Sequence, residues 1–213
     1  MADLIIPSLF ETLYMVFFST IFSLILGFPL GILLLITSKD NIWEKPILNK
    51  ILNSLINVLR SFPFLILMIL LFPLSRIIVG KTIGTTATIV PLSIAAAPFV
   101  ARVIESSLRE VDSGIIEFGL SMGASVWEII FKILIPEAMP SLILGITLTI
   151  INLIGYSAMA GAIGGGGLGD LAIKYGLYRF QTNIMIISVI IIILLVQGIQ
   201  YLGNKLASYI NKK

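Results

Sequence analysis

Residues 117–140 read EFGLSMGASVWEIIFKILIPEAMP, and the reading of the whole chain turns on them. They are a comparatively polar stretch set between two long apolar runs. Asp112 and Ser113 are N-cap residues for a short helix that ends near Met122. Gly123 stands where a helix C′ residue takes a left-handed conformation, which glycine adopts without strain. Ser125-Val126-Trp127-Glu128 has the capping-box pattern, so a second helix starts there and runs through Ile129, Ile130, Phe131 and Ile133 to Ile135. Pro136 then marks a bend into the next apolar run, because the residue before a proline disfavours the helical region. The expected unit is helix, glycine turn, helix, over residues 112–136.

Such a unit also suits a DNA-reading motif or an amphipathic loop on a membrane surface. The first fails on charge. Lys132 is the only base between Val111 and Pro136, against Asp112, Glu117 and Glu128, with Glu137 just beyond. Phosphate binding needs the opposite sign, so no nucleic-acid partner is expected. The surface loop stays open as an alternative.

Composition places the rest of the chain in lipid. Of 213 residues, 58% are hydrophobic and 12% charged, with a mean hydropathy of +1.09; soluble domains carry about 25% charged residues. Cysteine and histidine are both absent, so there is no disulfide framework, no thiol chemistry and no imidazole base or ligand. No apolar run holds two carboxylates, which argues against an intramembrane enzyme. The first basic residue is Lys39, preceded by Asp3 and Glu11. This is the reverse of a secretory leader, so the first run is expected to be a retained span.

Crossing about 30 Å of hydrocarbon takes roughly 20 residues of helix. Five runs are long enough, at about 13–37, 52–74, 83–103, 138–163 and 183–203. They are continuous rather than alternating, so the fold class is all-α and polytopic, one membrane domain over residues 1–213. The second run is the least regular. Arg60 precedes Ser61-Phe62-Pro63-Phe64, where the proline kinks the helix. Arg60 itself is either a snorkelling side chain near one membrane face or a group bonded inside the assembly. Five is an odd number, so two equal inverted halves are excluded; a second copy around a shared axis would thicken the wall of any path.

Basic residues orient the spans. With the N-terminus outside, the inner segments hold nine bases: Lys39, Lys45, Lys50, Arg102, Arg109, Lys132, Lys205, Lys212 and Lys213. The outer segments hold four: Arg76, Lys81, Lys174 and Arg179. The expectation is a multi-pass cell-membrane protein, N-terminus out and C-terminus in, with residues 112–136 in the cytoplasm. Arg102, Glu105 and Arg109 are spaced to pair along the inner end of the third span.

The fourth span carries the candidate path. Asn152, Tyr156, Ser157 and Met159 interrupt an otherwise aliphatic helix, and polar groups at membrane depth face a bundle interior more often than lipid. For Gly155, Ser157 and Ala158, plain close helix packing is the preferred reading; for Asn152, Tyr156 and Met159, packing and path stand as equal alternatives. Gly164–Gly167, with Gly161 and Gly169, looks like a phosphate loop but lacks the following Gly-Lys-Ser/Thr, and Asp170 stands where a cation is wanted. It reads as a tight turn at the outer end of the fourth span.

The spacing Glu117, Gly123, Ile133, Pro136 resembles the cytoplasmic coupling loop of ABC-importer permeases. Further segments resemble one subgroup, the permeases of methionine-uptake ABC importers: Asn57-Val58-Leu59-Arg60-Ser61-Phe62-Pro63-Phe64, Ile89-Val90-Pro91-Leu92, Ala96 through Arg102, and Gly155-Tyr156-Ser157-Ala158-Met159-Ala160-Gly161 running on into Leu168-Gly169-Asp170. The resemblance covers nearly the whole chain. It implies a type I importer permease fold with five transmembrane helices and a cytoplasmic coupling helix. It also implies a homodimeric permease core, two ABC ATPase subunits on the cytoplasmic side and an external solute-binding lipoprotein. ATP would be bound by the ATPase partner, so no cofactor and no enzymatic activity are expected of this chain. The implied solute is D- or L-methionine. Another amino acid or small solute on the same architecture is the alternative, with an ATP-independent channel or scaffold behind it. One departure stands out. The family pattern has two alanines after the glutamate, and here Phe118 and Gly119 take those places.

Overall fold

The first helix, α1 (Ala2–Ile36), runs without a break through Pro7 and Pro29, well ahead of its expected start at residue 13. The computed structural model describes residues 2–211; Lys212 and Lys213, counted above for orientation, lie outside the described residues. The remaining long helices are α5 (Thr85–Arg109), α9 (Met139–Gly161) and α11 (Thr182–Ile210). Each falls on an expected span, with ends shifted by a few residues. All four are long and apolar enough to cross a membrane.

The second expected span, 52–74, is not one helix. It is divided among α2 (Pro46–Ser61), α3 (Phe64–Leu70) and α4 (Phe72–Val79). The axes of α2 and α3 meet at 101°. The cause is local: Phe62 and Pro63 are extended, at ψ 131° and 128°, and Pro63 has no N–H to continue the α2 ladder. α2 is also a different kind of helix, with Asn49, Lys50, Asn53, Asn57 and Arg60 set among its apolar residues.

α1 and α5 form the spine. Two glycines four apart make their contact possible. A Cβ at Gly27 would lie 2.6 Å from Ala97 O and from Val100 Cβ; one at Gly31 would lie 2.6 Å from Ile104 Cβ. Bare backbone at both positions lets the helices approach closely, the device of small residues spaced by four. Ascending numbers match ascending numbers, so α1 and α5 run parallel. The connection through α2–α4 must therefore cross the layer once. α9 returns antiparallel, and Gly203 of α11 meets Thr147 of α9, which makes α11 the outgoing partner.

The core divides by depth. At one end Leu35, Ile36, Val100, Ile104, Leu108, Ile129, Ile130, Leu134 and Leu142 pack together. At the other, Met15, Val16, Ile89, Leu92, Leu153 and Ile154 do so. The first end holds residues 112–138 and the C-terminal end of α11; the second holds the start of α1 and the glycine run.

Candidate functional site

Two regions carry the expected site residues, and they sit at different depths. The first is the loop after α5. Asp112 caps α6 (Ser113–Ser121), its Oδ1 accepting from the Gly114 N–H at 2.7 Å. Gly123 has φ +81°, and its N–H and that of Ala124 donate to Leu120 O and Gly119 O at 2.9 and 3.1 Å. These bonds satisfy carbonyls that the end of a helix leaves open. The capping box forms in full before α7 (Val126–Glu128), and Lys132 Nζ donates to Glu128 Oε1 at 2.8 Å. That bond, followed by the Ser125 N–H, holds the Glu128 carboxylate down at about 2.

The helix expected to run to Ile135 is interrupted. Ile129–Leu134 is a π-helical turn, closed by the Ile135 N–H donating to Ile130 O, and α8 (Ile135–Glu137) follows it. Pro136 lacks an N–H, so the ladder is weakest there, and one-turn π segments occur where a helix is locally re-registered. Ile129, Ile130 and Leu134 are 0%, 1% and 0% exposed, packed against α1 and α5. Ile133 lies over Gly119, where a Cβ would come within 2.8 Å of its Cδ1. The loop is thus anchored to the bundle on one face. Its other face exposes Phe118, Met122, Trp127 and Phe131, the last two rings stacked with centroids 6.0 Å apart. Glu117 is exposed beside them. The apolar face is legible only in part: Phe118 departs from the family pattern, whereas nothing in the sequence marks Trp127 and Phe131 as exposed.

The second region is the C-terminal half of α9. Asn152, Gly155 and Met159 are exposed along one stripe of the single chain, and no atom lies within 4 Å of a Cβ built at Gly155. Tyr156 is half-buried and stacks flat on Phe64 of α3, with centroids 4.4 Å apart and planes 6° apart. Ser157 lies elsewhere. It is 2% exposed and donates to Ile154 O, so it packs within the subunit and does not share the stripe. The stacking of Phe64 on Tyr156 joins the broken crossing to α9, a pairing too distant in sequence for any spacing rule to find.

The glycine run is a turn, as its composition suggested. Added Cβ atoms at Gly161 and Gly169 would run into the backbone of Asp170 and Ala158. Gly166 and Gly167 have φ +84° and +79° ahead of α10 (Gly167–Leu171). Glu11 and Thr12 of α1 accept from the Gly167 and Leu168 N–H groups at 2.7 and 2.9 Å. Asp170 pairs with Lys174. At the opposite end Glu105 is held by Arg102 and Arg109, each at 2.7 Å, the pairing expected from their spacing. Arg102 also donates to Asn57 of α2 at 2.9 Å.

The family model for the binding-protein-dependent transport system inner membrane component matches residues 27–206. The chain belongs to this family. Among relatives of this inner-membrane component, a probable D-methionine transport system permease protein MetI of Vibrio cholerae is 47% identical over 212 residues, spanning 100% of this chain and 94% of that protein. The methionine import system permease protein MetP of Bacillus subtilis is 45% identical over 204 residues, 96% of this chain and 92% of that one. A solved structure of the MetNI methionine ABC transporter in an inward-facing conformation superposes at a TM-score of 0.98 with 39% identity, covering 100% of this chain and 98% of that chain. An amino acid ABC transporter solved with histidines superposes at 0.79 with 21% identity over 98% and 94% of the two chains, a likeness of fold. The fold is that of a type I importer permease.

Proposed function

We propose that the chain is the permease subunit of an ATP-driven methionine importer. The observation that carries this is the full-length match in sequence and fold to methionine permeases, together with a loop built to be pushed. Residues 112–137 present an exposed apolar face with Glu117 at its edge, while Ile129, Ile130 and Leu134 key the same loop into α1 and α5. A load applied to the exposed face is passed to the bundle through close-packed side chains, because packed interiors transmit displacement rather than absorb it. Glu117, Gly123, Ile133 and Pro136 are the coupling residues in this reading. Gly123 sets the turn, Ile133 clamps α6 onto the π turn, Pro136 directs the chain into α9, and Glu117 meets the ATPase.

Two ATPase subunits dock on that face in the cytoplasm, and a binding lipoprotein delivers solute at the opposite end. A second copy of the chain closes the path along the α9 stripe of Asn152, Gly155, Tyr156 and Met159. The chain itself holds no phosphate loop, so the ATP is bound by its partners. The N-terminus is outside and the C-terminus cytoplasmic. The test is co-expression with the cognate ATPase. The two are expected to purify together and, with the binding protein, to accumulate labelled methionine in proteoliposomes only when ATP is supplied. Transport of another amino acid, with methionine neither carried nor competing, would overturn the substrate and leave the permease. ATP hydrolysis by the chain alone would overturn the division of labour.

A further inference from the structure

Helix α10 begins without a cap of its own. Its N-cap position is Gly166, which has no side chain to offer, although the first N–H groups of a helix find no partner within it. Two of those donors are satisfied from the far end of the sequence. Glu11 Oε2 accepts from the Gly167 N–H at 2.7 Å, and Thr12 Oγ1 accepts from the Leu168 N–H at 2.9 Å. The Thr12 hydroxyl is buried and donates its own proton to Ser8 O at 3.0 Å, which leaves its lone pairs for Leu168. The Glu11 carboxylate also brings the charge that the positive end of a helix favours. The glycines make room for both acceptors. A Cβ at Gly166 would lie 2.6 Å from Thr85 Oγ1 and 3.1 Å from Glu11 Oε2, and one at Gly167 would lie 2.6 Å from Thr12 Oγ1. The cap that the glycine turn lacks is supplied by α1.

What this cap joins gives it a mechanical meaning. α10 lies against the end of α9 backbone to backbone, since Cβ atoms at Gly161 and Gly169 would run into Asp170 and Ala158. The turn between them is closed by the Gly165 N–H donating to Ala160 O at 2.9 Å. With no side chain in between, α10 cannot shift without carrying the end of α9 that holds Tyr156 and Met159. At its other end α1 belongs to the loop after α5: Leu35 and Ile36 pack in one cluster with Ile129, Ile130 and Leu134. Between these ends α1 is one unbroken helix, and close-packed interiors transmit displacement. A movement of the loop therefore reaches α9 by two routes. One passes directly through Pro136 to the near end of α9. The other runs along α1 and through the cap to the far end.

We propose that Glu11 and Thr12 are positioning residues for transport: through the cap they give α10, the far end of α9 follows α1, and α1 follows the coupling loop. The proposal rests on the reading of this chain as a permease driven at residues 112–137. It goes further by assigning a part in the cycle to a carboxylate and a hydroxyl at the opposite end of the bundle.

The test uses the permease–ATPase complex in lipid, with two readings. Deuterium exchange of peptides covering residues 161–171, followed by mass spectrometry, reports the cap. Labelled methionine carried per ATP hydrolysed, in proteoliposomes with the binding protein, reports the coupling. In Glu11→Ala, exchange at 161–171 is expected to quicken about tenfold, the scale of one hydrogen bond to a charged acceptor, with residues 112–137 unchanged. Methionine carried per ATP should fall several-fold. Because uptake is divided by hydrolysis, a complex that is merely less abundant gives the wild-type ratio. Glu11→Gln, whose amide oxygen can accept the same bond, should restore most of both readings. If Glu11→Ala fails to assemble, Thr12→Val, which removes the hydroxyl at nearly constant volume, decides by the same two readings. Wild-type exchange in these variants overturns the cap. Faster exchange with a wild-type transport ratio overturns its part in transport. ATP-driven uptake by the unsubstituted complex upholds the permease reading whatever the variants do, and its absence overturns that reading and this one together.

Discussion

At the scale of single residues, the loop after α5 is set by backbone conformation and caps. Gly123 has φ +81° with nothing within 4 Å of a Cβ, so only the dihedral resists a larger residue. Gly123→Val should destabilise the turn by about 1–2 kcal/mol and leave the spans inserted. The expected outcome is normal membrane content with weakened ATPase co-purification and reduced uptake; wild-type values for both would remove Gly123 from the coupling role. Glu128 gives a second test. Lys132 and then the Ser125 N–H lower its carboxylate from an ordinary 4.5 to about 2. Because the folded value is depressed, the capping box contributes above pH 4.5 and is lost only as pH falls toward 2. The Glu128 carboxylate should therefore still be ionised at about pH 3.5 by 13C NMR of glutamate-labelled protein in micelles. Titration near 4.5 would mean that the box is absent in solution. Caps and the glycine turn were readable because they depend on neighbours in sequence. The flat stack of Tyr156 on Phe64 and the burial of Ser157 depend on how α3, α5 and α9 meet, and no local pattern encodes that.

Among the elements, the continuous apolar runs were readable and the broken one was not. The helices α1, α5, α9 and α11 each carry enough apolar residues in sequence to be read as spans. The run at 52–74 does so as well, because hydropathy sums over Leu, Ile and Phe without registering that Pro63 ends one ladder and starts another. Ser61-Phe62-Pro63 pointed to a kink; it did not give the 101° angle, which follows from two consecutive extended residues. The π turn was hidden for a related reason, since Ile129, Ile130 and Leu134 fit a buried helix of either pitch. The α1–α5 contact was present in the sequence as Gly27 and Gly31 and is the sharpest test of this packing. Gly27→Leu puts a branched side chain where even a Cβ meets Ala97 O at 2.6 Å. Overpacking of this kind costs about 1–3 kcal/mol, and more where backbone is struck. Detergent-solubilised Gly27→Leu protein should unfold at lower temperature than wild type, while Gly198→Leu, at a position with open space, should not. Equal melting of the two variants would mean that α1 and α5 do not pack as described.

For the whole molecule, parallel α1 and α5 decide the topology. Two parallel spans need an odd number of crossings between them, so the broken segment α2–α4 must traverse the layer although none of its pieces is long enough alone. The loop at 112–138 then shares an end with the chain after Ala207, and the start of α1 shares the other end with the glycine run, where Glu11 and Thr12 tie α1 to α10. In the proposed orientation these ends lie on the two sides of the membrane, with Lys39, Lys45 and Lys50 on the side of residues 112–138 and Lys174 and Arg179 opposite. Because the chain has no cysteine, single substitutions report sidedness cleanly. A membrane-impermeant maleimide added to intact cells should label Arg179→Cys and Lys81→Cys. It should spare Lys45→Cys, Met122→Cys and Lys213→Cys until the membrane is opened. Labelling of Met122→Cys from outside would place the coupling loop away from ATP and reverse the orientation, and with it every functional assignment that depends on an ATPase at that end.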